Sequence, residues 1–507
     1  MSDIIIGKHT LESLTSGMYS DPYVVFREYI QNAADSIDSA YEAAVLKPGE
    51  DQIRITLAPS ERKIIIEDNG VGVAKENALK SLVSIGNSKK SSDNERGFRG
   101  IGRLSGLSYC SKLVFETSCI GEAIKTIVVF DAKKLSYLLM SDTGPDVSVT
   151  DVLQEVYSIE RNSCPSKEHF FRVILEGVDE SSGLNKFDDV LDYLSQNVPV
   201  PYSPDFSWGK EIENRLKQEG YESRKYNLHL SFGSNTVPVY KPYKDVFWVD
   251  KGKNITDNIR DITIVKIQQS SGNLSAIGWL AETNYLGSIY DKSIKGIRLK
   301  KGNILIGDSQ TLNVVFKDAR FNGWSVGEIF AIDPLLVPNA RRDNFEKNST
   351  FFVLTEQLQK VAAEITRDIR AASMKRNREL AEVLEKAKSS AQNATLAIEN
   401  NKINTSEKSR IEQQLASAKK AVSDSTISDE TGLCFQEIAF DELDMLIGTI
   451  KGATSFKAIN TLTSLSKAEK KILEHVFSVI VDKLGSEGDS IIDAIIDDFA
   501  GNSMSNK

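Results

Sequence analysis

The sequence predicts an α+β fold that gives way to a helical C-terminal region. Three observations carry that expectation. Helix-like and strand-like segments alternate over residues 1–205, short strands separated by Gly and Asn clusters fill 206–350, and from Phe351 apolar residues recur every three or four positions. At 507 residues the chain is too long for one hydrophobic core. Four segments are expected as domains: 1–205, 206–350, 351–425 and 426–507.

The first long helix opens at Asp21-Pro22, with Asp as N-cap and Pro in the first turn, and runs to about Leu46 before Lys47-Pro48-Gly49. Gln52 to Leu57 and Lys63 to Glu67 read as a strand pair around Pro59-Ser60. A polar stretch follows from Ser84 to Gly102, and Leu113–Thr117, Ile124–Phe130 and Phe170–Leu175 add strands. Helices on one face of a mixed sheet account for this order. Pro199, Pro201 and Pro204 punctuate its end, and Leu228–Phe232, Ile262–Gln268 and Ser275–Ala281 read as strands of a second α/β or α+β domain. Leu354, Leu358, Val361, Ile365 and Ile369 then set a helical rhythm that Leu384, Ala387, Ala391, Ala394 and Ile398 continue. Ile411, Leu415, Ala418 and Val422 repeat it, which predicts a long helical hairpin or coiled coil. Ser466 and Glu469 form a capping box before Ile472, Val476, Val479 and Ile480.

Net charge −9 argues against a nucleic-acid binder that works by bulk electrostatics. Four scattered cysteines and four histidines have no metal-ligand spacing, and reduced thiols suit a cytoplasmic protein. No apolar run reaches the roughly 18 residues of a membrane span, and no signal-peptide pattern opens the chain.

The chemistry concentrates in three places. Glu28, Asn32 and Asp35 are spaced i, i+4, i+7, so one helix face carries all three among core-forming Val24, Val25, Ile30, Ala33, Ala34 and Ile37. Burying such groups is costly unless something binds them, and a hydrated divalent cation with a phosphate chain satisfies all three. A buried strand runs into Asp68-Asn69-Gly70-Val71-Gly72, a carboxylate at a turn whose glycines admit a ligand; taken alone it also reads as an ordinary turn. Gly97-Phe98-Arg99-Gly100-Ile101-Gly102 precedes an apolar helix and suits a phosphate cradle of backbone N–H groups. A dinucleotide fingerprint would need Gly at Ser105, and no P-loop motif occurs.

In this order the three motifs resemble the nucleotide site of the GHKL superfamily, which includes gyrase, histidine kinases, MutL and the ninety-kilodalton heat-shock chaperone. The chaperone branch carries Arg-Glu-Leu-Ile-x-Asn-Ala-x-Asp, and Arg27 to Asp35 reads Arg-Glu-Tyr-Ile-Gln-Asn-Ala-Ala-Asp. The resemblance implies a Bergerat-type α/β sandwich that binds ATP and Mg2+, then an α/β transducer domain. It implies that Glu28 is the general base, Asn32 the Mg2+ ligand, Asp35 a supporting acid and Asp68 the acceptor for the adenine amino group. Gly70 and Gly72 would let the base pack on the turn. Gly97, Arg99, Gly100, Ile101 and Gly102 would wrap the triphosphate, with Ser88 and Lys89 in a lid over Ser84–Arg96; Lys89 reads equally as a solvated loop charge. Relatives carry a Thr at the start of a late strand. Here His169-Phe170-Phe171-Arg172-Val173-Ile174-Leu175 has none, so that contact is lost or a water replaces it.

Asp333 to Asp343, Asp-Pro-Leu-Leu-Val-Pro-Asn-Ala-Arg-Arg-Asp, resembles the chaperone's middle-domain loop. Arg342 then stands where that family's arginine reaches the γ-phosphate; an ordinary surface ion pair is the other reading. Lys300 and Lys301 are backup candidates. The resemblance implies an ATP-hydrolysing homodimeric clamp acting on a protein client, possible in a bacterial stress or antiviral defence setting. Two alternatives stay open: a DNA-engaging clamp of the MORC or MutL type, and a histidine-kinase-type enzyme, for which no upstream phosphoacceptor histidine presents itself.

Overall fold

The structure is a computed structural model that describes residues 21–84, 102–140, 148–252, 254–269, 272–399, 405–425, 430–452, 459, 462 and 464–501. The chain divides into two units, Met1–Arg367 and Asp368–Lys507.

In the first unit, helix α1 (Val24–Glu42) buries Val24, Val25, Phe26, Ile30, Ala33, Ala34 and Ile37, as its apolar periodicity requires. The Asp21 carboxylate accepts the Tyr23 N–H just ahead of it. The helix ends at Glu42, four residues before the expected stop. Ala44 there adopts a left-handed φ of 53°, and the Val45 N–H returns to the Ala40 carbonyl.

The chain then lays down β1 (Ile53–Ala58) and β2 (Lys63–Asp68) as a hairpin, a short helix α2 (Ala78–Val83), and a 3-10 turn over Gly102–Ser108. Strands β3 (Lys112–Ser118) and β4 (Ile124–Asp131), helices α3 (Ala132–Met140) and α4 (Val149–Val156), strands β5 (Tyr157–Ser163) and β6 (Phe170–Glu176) and helix α5 (Phe187–Asn197) follow. Strand β5 escapes a pattern reading because it lies at a sheet edge and is almost wholly exposed, so it shows no apolar alternation.

Helix α6 (Gly209–Gln218) comes next, then β7 (Leu228–Phe232) and β8 (Asn235–Pro238). The strands of segment 206–350 fall in three sheets. Strand β7 pairs in parallel with β1, Ile55 opposite Leu230, and closes an eight-stranded sheet of order β5-β4-β3-β6-β2-β1-β7-β8. Leu228 and Leu230 join the core that α1 covers. Helix α6 instead packs Ile212 and Leu216 into a second core with Trp279 and Phe330.

That core rests on β11 (Asp261–Gln268), β12 (Leu274–Glu282), β13 (Gly296–Lys301), β14 (Ile304–Leu305) and β15 (Val326–Ala331), after a small ribbon of β9 (Val246–Trp248) and β10 (Thr256–Asn258). The larger sheet runs β11-β12-β15-β13-β14.

Helix α7 (Ser349–Glu399) begins before the unit boundary. The second unit continues with α8 (Thr405–Asp424), α9 (Glu430–Gly452), α10 (Lys467–Leu484) and α11 (Asp489–Gly501). Ala387, Ala391, Ile411, Leu415 and Leu443 form one of its cores. The Ser466/Glu469 capping box is present on α10. Its expected apolar face is turned, however: Phe477 is buried while Ile472, Val476 and Val479 are exposed. Among the described residues no helix is long and apolar enough to cross a membrane.

Candidate active site

Helix α1 brings Glu28, Asn32 and Asp35 onto one face; both acids are 6% exposed and Asn32 is half-buried. The Glu28 carboxylate meets groups from two directions. Its Oε1 lies 3.3 Å from Arg342 Nε and 3.5 Å from Arg27 Nη2. Its Oε2 lies so close to Gly102 that a Cβ there would stand 2.1 Å away. Gly102 is therefore the one position of the 3-10 turn that must lack a side chain for Glu28 to sit as it does.

Asp68, 3% exposed, ends β2 and accepts the Gly70 N–H at 2.9 Å. The turn it starts is pressed on both sides. A Cβ at Gly70 would meet Ser36 Oγ at 2.1 Å, and the Val71 N–H reaches the Ser36 carbonyl at 3.3 Å. Gly72 has φ +69°, and a Cβ there would lie 2.0 Å from the Ser118 carbonyl oxygen. The turn thus bridges α1 and β3, with no room for a side chain at Gly70 or Gly72.

The absent threonine of the late strand has a neighbour that motif reading missed. Asp68 stands opposite Phe171 on β6, and Phe171 opposite Thr117 on β3. Thr117 Oγ1 accepts from the Val73 N–H at 2.8 Å and donates to the Phe170 carbonyl at 3.0 Å. His169 Nδ1 lies 2.9 Å from the Gly70 carbonyl oxygen. The turn is therefore braced by a threonine on β3 and by a histidine just before β6. Only strand register reveals that they meet.

Arg342 sits at the tip of a loop closed by the Pro338–Phe345 bridge and by the Asn339 amide on Asp343. Its φ is +58°, a left-handed conformation that a side chain of this size rarely adopts. The backbone holds it there: its carbonyl accepts the Gly307 N–H at 2.8 Å, and its own N–H reaches the Asn339 carbonyl at 3.1 Å. Beside it, the Arg341 carbonyl accepts from Arg27 Nη2 at 3.3 Å. Lys300 and Lys301 are committed elsewhere. Lys300 is buried 2.6 Å from Glu328, and Lys301 donates to the carbonyls of Ile332 and Asp333 at the base of the arginine loop.

Arg27 was not singled out by motif reading, although its place beside Glu28 was a signal. Arg103 was missed too: its guanidinium donates to the Ser84 carbonyl, and burial lowers its pKa to about 10. Ser88, Lys89, Gly97, Arg99, Gly100 and Ile101 lie outside the described residues. Two buried carboxylates, a half-buried amide and a turn with two tightly packed glycines fit a hydrated hard cation carrying phosphate, with Asn32 as the neutral oxygen donor.

Residues 19–146 match the family described as histidine kinase-, DNA gyrase B-, and HSP90-like ATPase. The chain is similar to the Chaperone protein HtpG of Halalkalibacterium halodurans, 27% identical over 258 residues, 44% of this chain and 40% of that protein. It is 25% identical over 280 residues to Chaperone protein HtpG of Alkaliphilus metalliredigens, 51% of this chain and 42% of that protein. A match to Chaperone protein HtpG of Photorhabdus laumondii, 23% identical, covers 42% of this chain and 33% of that protein. The chain spans less than half the length of these curated relatives.

Proposed function

We propose that this chain, whose residues 19–146 match the histidine kinase-, DNA gyrase B- and HSP90-like ATPase family and which is similar to chaperone-branch proteins, binds and hydrolyses ATP as a cytoplasmic, dimeric clamp acting on a protein client. The observation that carries the reading is the approach of Arg342 to Glu28. A base for water and a cation for the terminal phosphate, distant in sequence, stand 3.3 Å apart.

Glu28 takes the proton of a water as its oxygen bonds to the γ-phosphorus and the bond to the ADP oxygen breaks. Arg342 binds the γ-phosphate oxygens and offsets their charge, a task that suits the planar guanidinium fork. The Asn32 amide oxygen, with Asp35 in support, would hold a Mg2+ ion, which would supply charge neutralisation to the phosphates. Asp68 accepts the adenine amino group, which selects adenine over guanine. Gly70 and Gly72 let the base lie against the backbone, and Gly97, Gly100 and Gly102 cradle the phosphates.

Phosphate release by wild type and three variants tests this. Glu28→Ala is expected to bind ATP and lose about a hundredfold or more in turnover, and Arg342→Ala to lose turnover with binding weakened less. Asp68→Asn is expected to lose binding in a titration calorimeter. Wild-type turnover in both Glu28→Ala and Asp68→Asn refutes the assignment.

A further inference from the structure

The chaperone-type pattern places a leucine after the helix glutamate, whereas this chain has Tyr29. The tyrosine is 2% exposed, and its hydroxyl is used twice. It donates to the Arg103 carbonyl at 2.9 Å and accepts the Gly106 N–H at 3.1 Å. A leucine would fill the core and make neither bond.

Both bonds go to the 3-10 turn that begins at Gly102, the residue against which Glu28 Oε2 rests. One side chain of α1 therefore lies on the turn's first residue, and its neighbour is bonded to the turn's backbone two times further along. Arg103 extends the connection, since its side chain reaches back to the Ser84 carbonyl. The fit is close: a Cβ at Gly106 would stand 2.6 Å from the Tyr29 hydroxyl oxygen.

We propose that Tyr29 is a positioning residue for ATP hydrolysis, its hydroxyl clasping the Gly102–Ser108 turn to α1 and so setting where the Glu28 carboxylate stands. The inference rests on the ATPase reading above. Burial pushes the phenol well above its ordinary pKa, so the hydroxyl keeps its proton and serves as donor and acceptor across the working pH range. Removing it takes away both of these bonds between the turn and α1. A displacement of about 1 Å between base and water is enough to slow a proton transfer while leaving nucleotide contacts in place. The clasp thus acts on turnover more than on binding.

The test uses the full chain. Tyr29→Phe keeps the ring in the core and removes only the oxygen. It is expected to lower kcat about tenfold, with the ATP Kd within about twofold of wild type, and to speed hydrogen exchange at the Gly106 amide. Gly106→Ala pushes a methyl against the hydroxyl and is expected to lower kcat alone. In the Tyr29→Phe background the close clash with the hydroxyl is gone and contacts of 3.3 Å to Leu113 Cδ1 and 3.4 Å to Leu175 Cδ2 remain, so the double variant should be little slower than Tyr29→Phe, a coupling that plain destabilisation would not produce. A Tyr29→Phe kcat within about twofold of wild type, or additive losses in the double variant, overturns the clasp and leaves the ATPase reading intact. A wild-type protein that neither binds nor hydrolyses ATP overturns the ATPase reading itself, and the clasp's role in hydrolysis with it.

Discussion

Glu328, fully buried on β15, draws four donors to one carboxylate. Lys241 and Lys300 each stand 2.6 Å away, with the Tyr202 hydroxyl at 2.8 Å and the Trp279 indole N–H at 3.2 Å. Such a cluster survives burial only while the carboxylate remains to offset the ammonium groups. Glu328→Gln leaves Lys241 and Lys300 without it and is expected to cost about 3–5 kcal/mol in a urea melt of the first unit's signal. The cluster also carries a pH signature. Burial lowers Lys241 from 10.5 to about 7, outweighing the pull of Glu328, while Lys300 repels it. The rings of Tyr202 and Phe330 and, more distantly, the charge of Glu213 also face it. Between pH 10.5 and 7 the unfolded lysine holds a proton that the folded one lacks, so the folded state loses ground as pH falls through that window. Wild type measured against Lys241→Met should weaken from about pH 10 down to 7 and show no further change below it.

Among the elements, the turn from Asp68 to Val73 is closely constrained. It is held by Ser36 from α1, by Thr117 from β3 and by His169 at the start of β6. Gly72→Ala combines a φ of +69° with a clash 2.0 Å from a backbone oxygen that has no flexible end to yield. The turn must shift, and about 1–3 kcal/mol of stability should go with it. The measurement is paired: a lowered melting temperature and lost nucleotide binding by calorimetry, since the same backbone is proposed to face adenine. Retained binding at wild-type affinity would separate the turn from the nucleotide. This element also marks the limit of pattern reading. Asp-Asn-Gly announces a turn, and the alternating burial of Ile64, Ile66 and Asp68 announces its strand. Neither announces Thr117 or His169, because cross-strand neighbours have no fixed sequence separation. The arginine loop is similar: its sequence resembles a loop of the chaperone family, but the left-handed backbone at Arg342 depends on Asn339 within the loop and Gly307 outside it.

For the whole molecule, the proposed clamp requires two copies. The long α7 and the α8–α9 pair supply helical surface, and light scattering should give twice the mass of a 507-residue chain at micromolar concentration. A single-chain mass at every concentration, with and without ATP, would remove the dimer from the proposal.

The sequence by itself determined the polar line of Glu28, Asn32 and Asp35, the strand leading to Asp68, the helical C-terminal region and the capping box of α10. Each is written in spacings of two to seven residues, and backbone geometry turns those spacings into faces. Only the tertiary structure decided that β7 and β8 return to the first sheet, that Glu328 gathers Lys241 and Lys300, and that Arg27 meets Arg341, 314 residues later, beside the Arg342–Glu28 pair. Those contacts depend on which surfaces pack and in which register. Long-range packing leaves no period in the chain from which to read it.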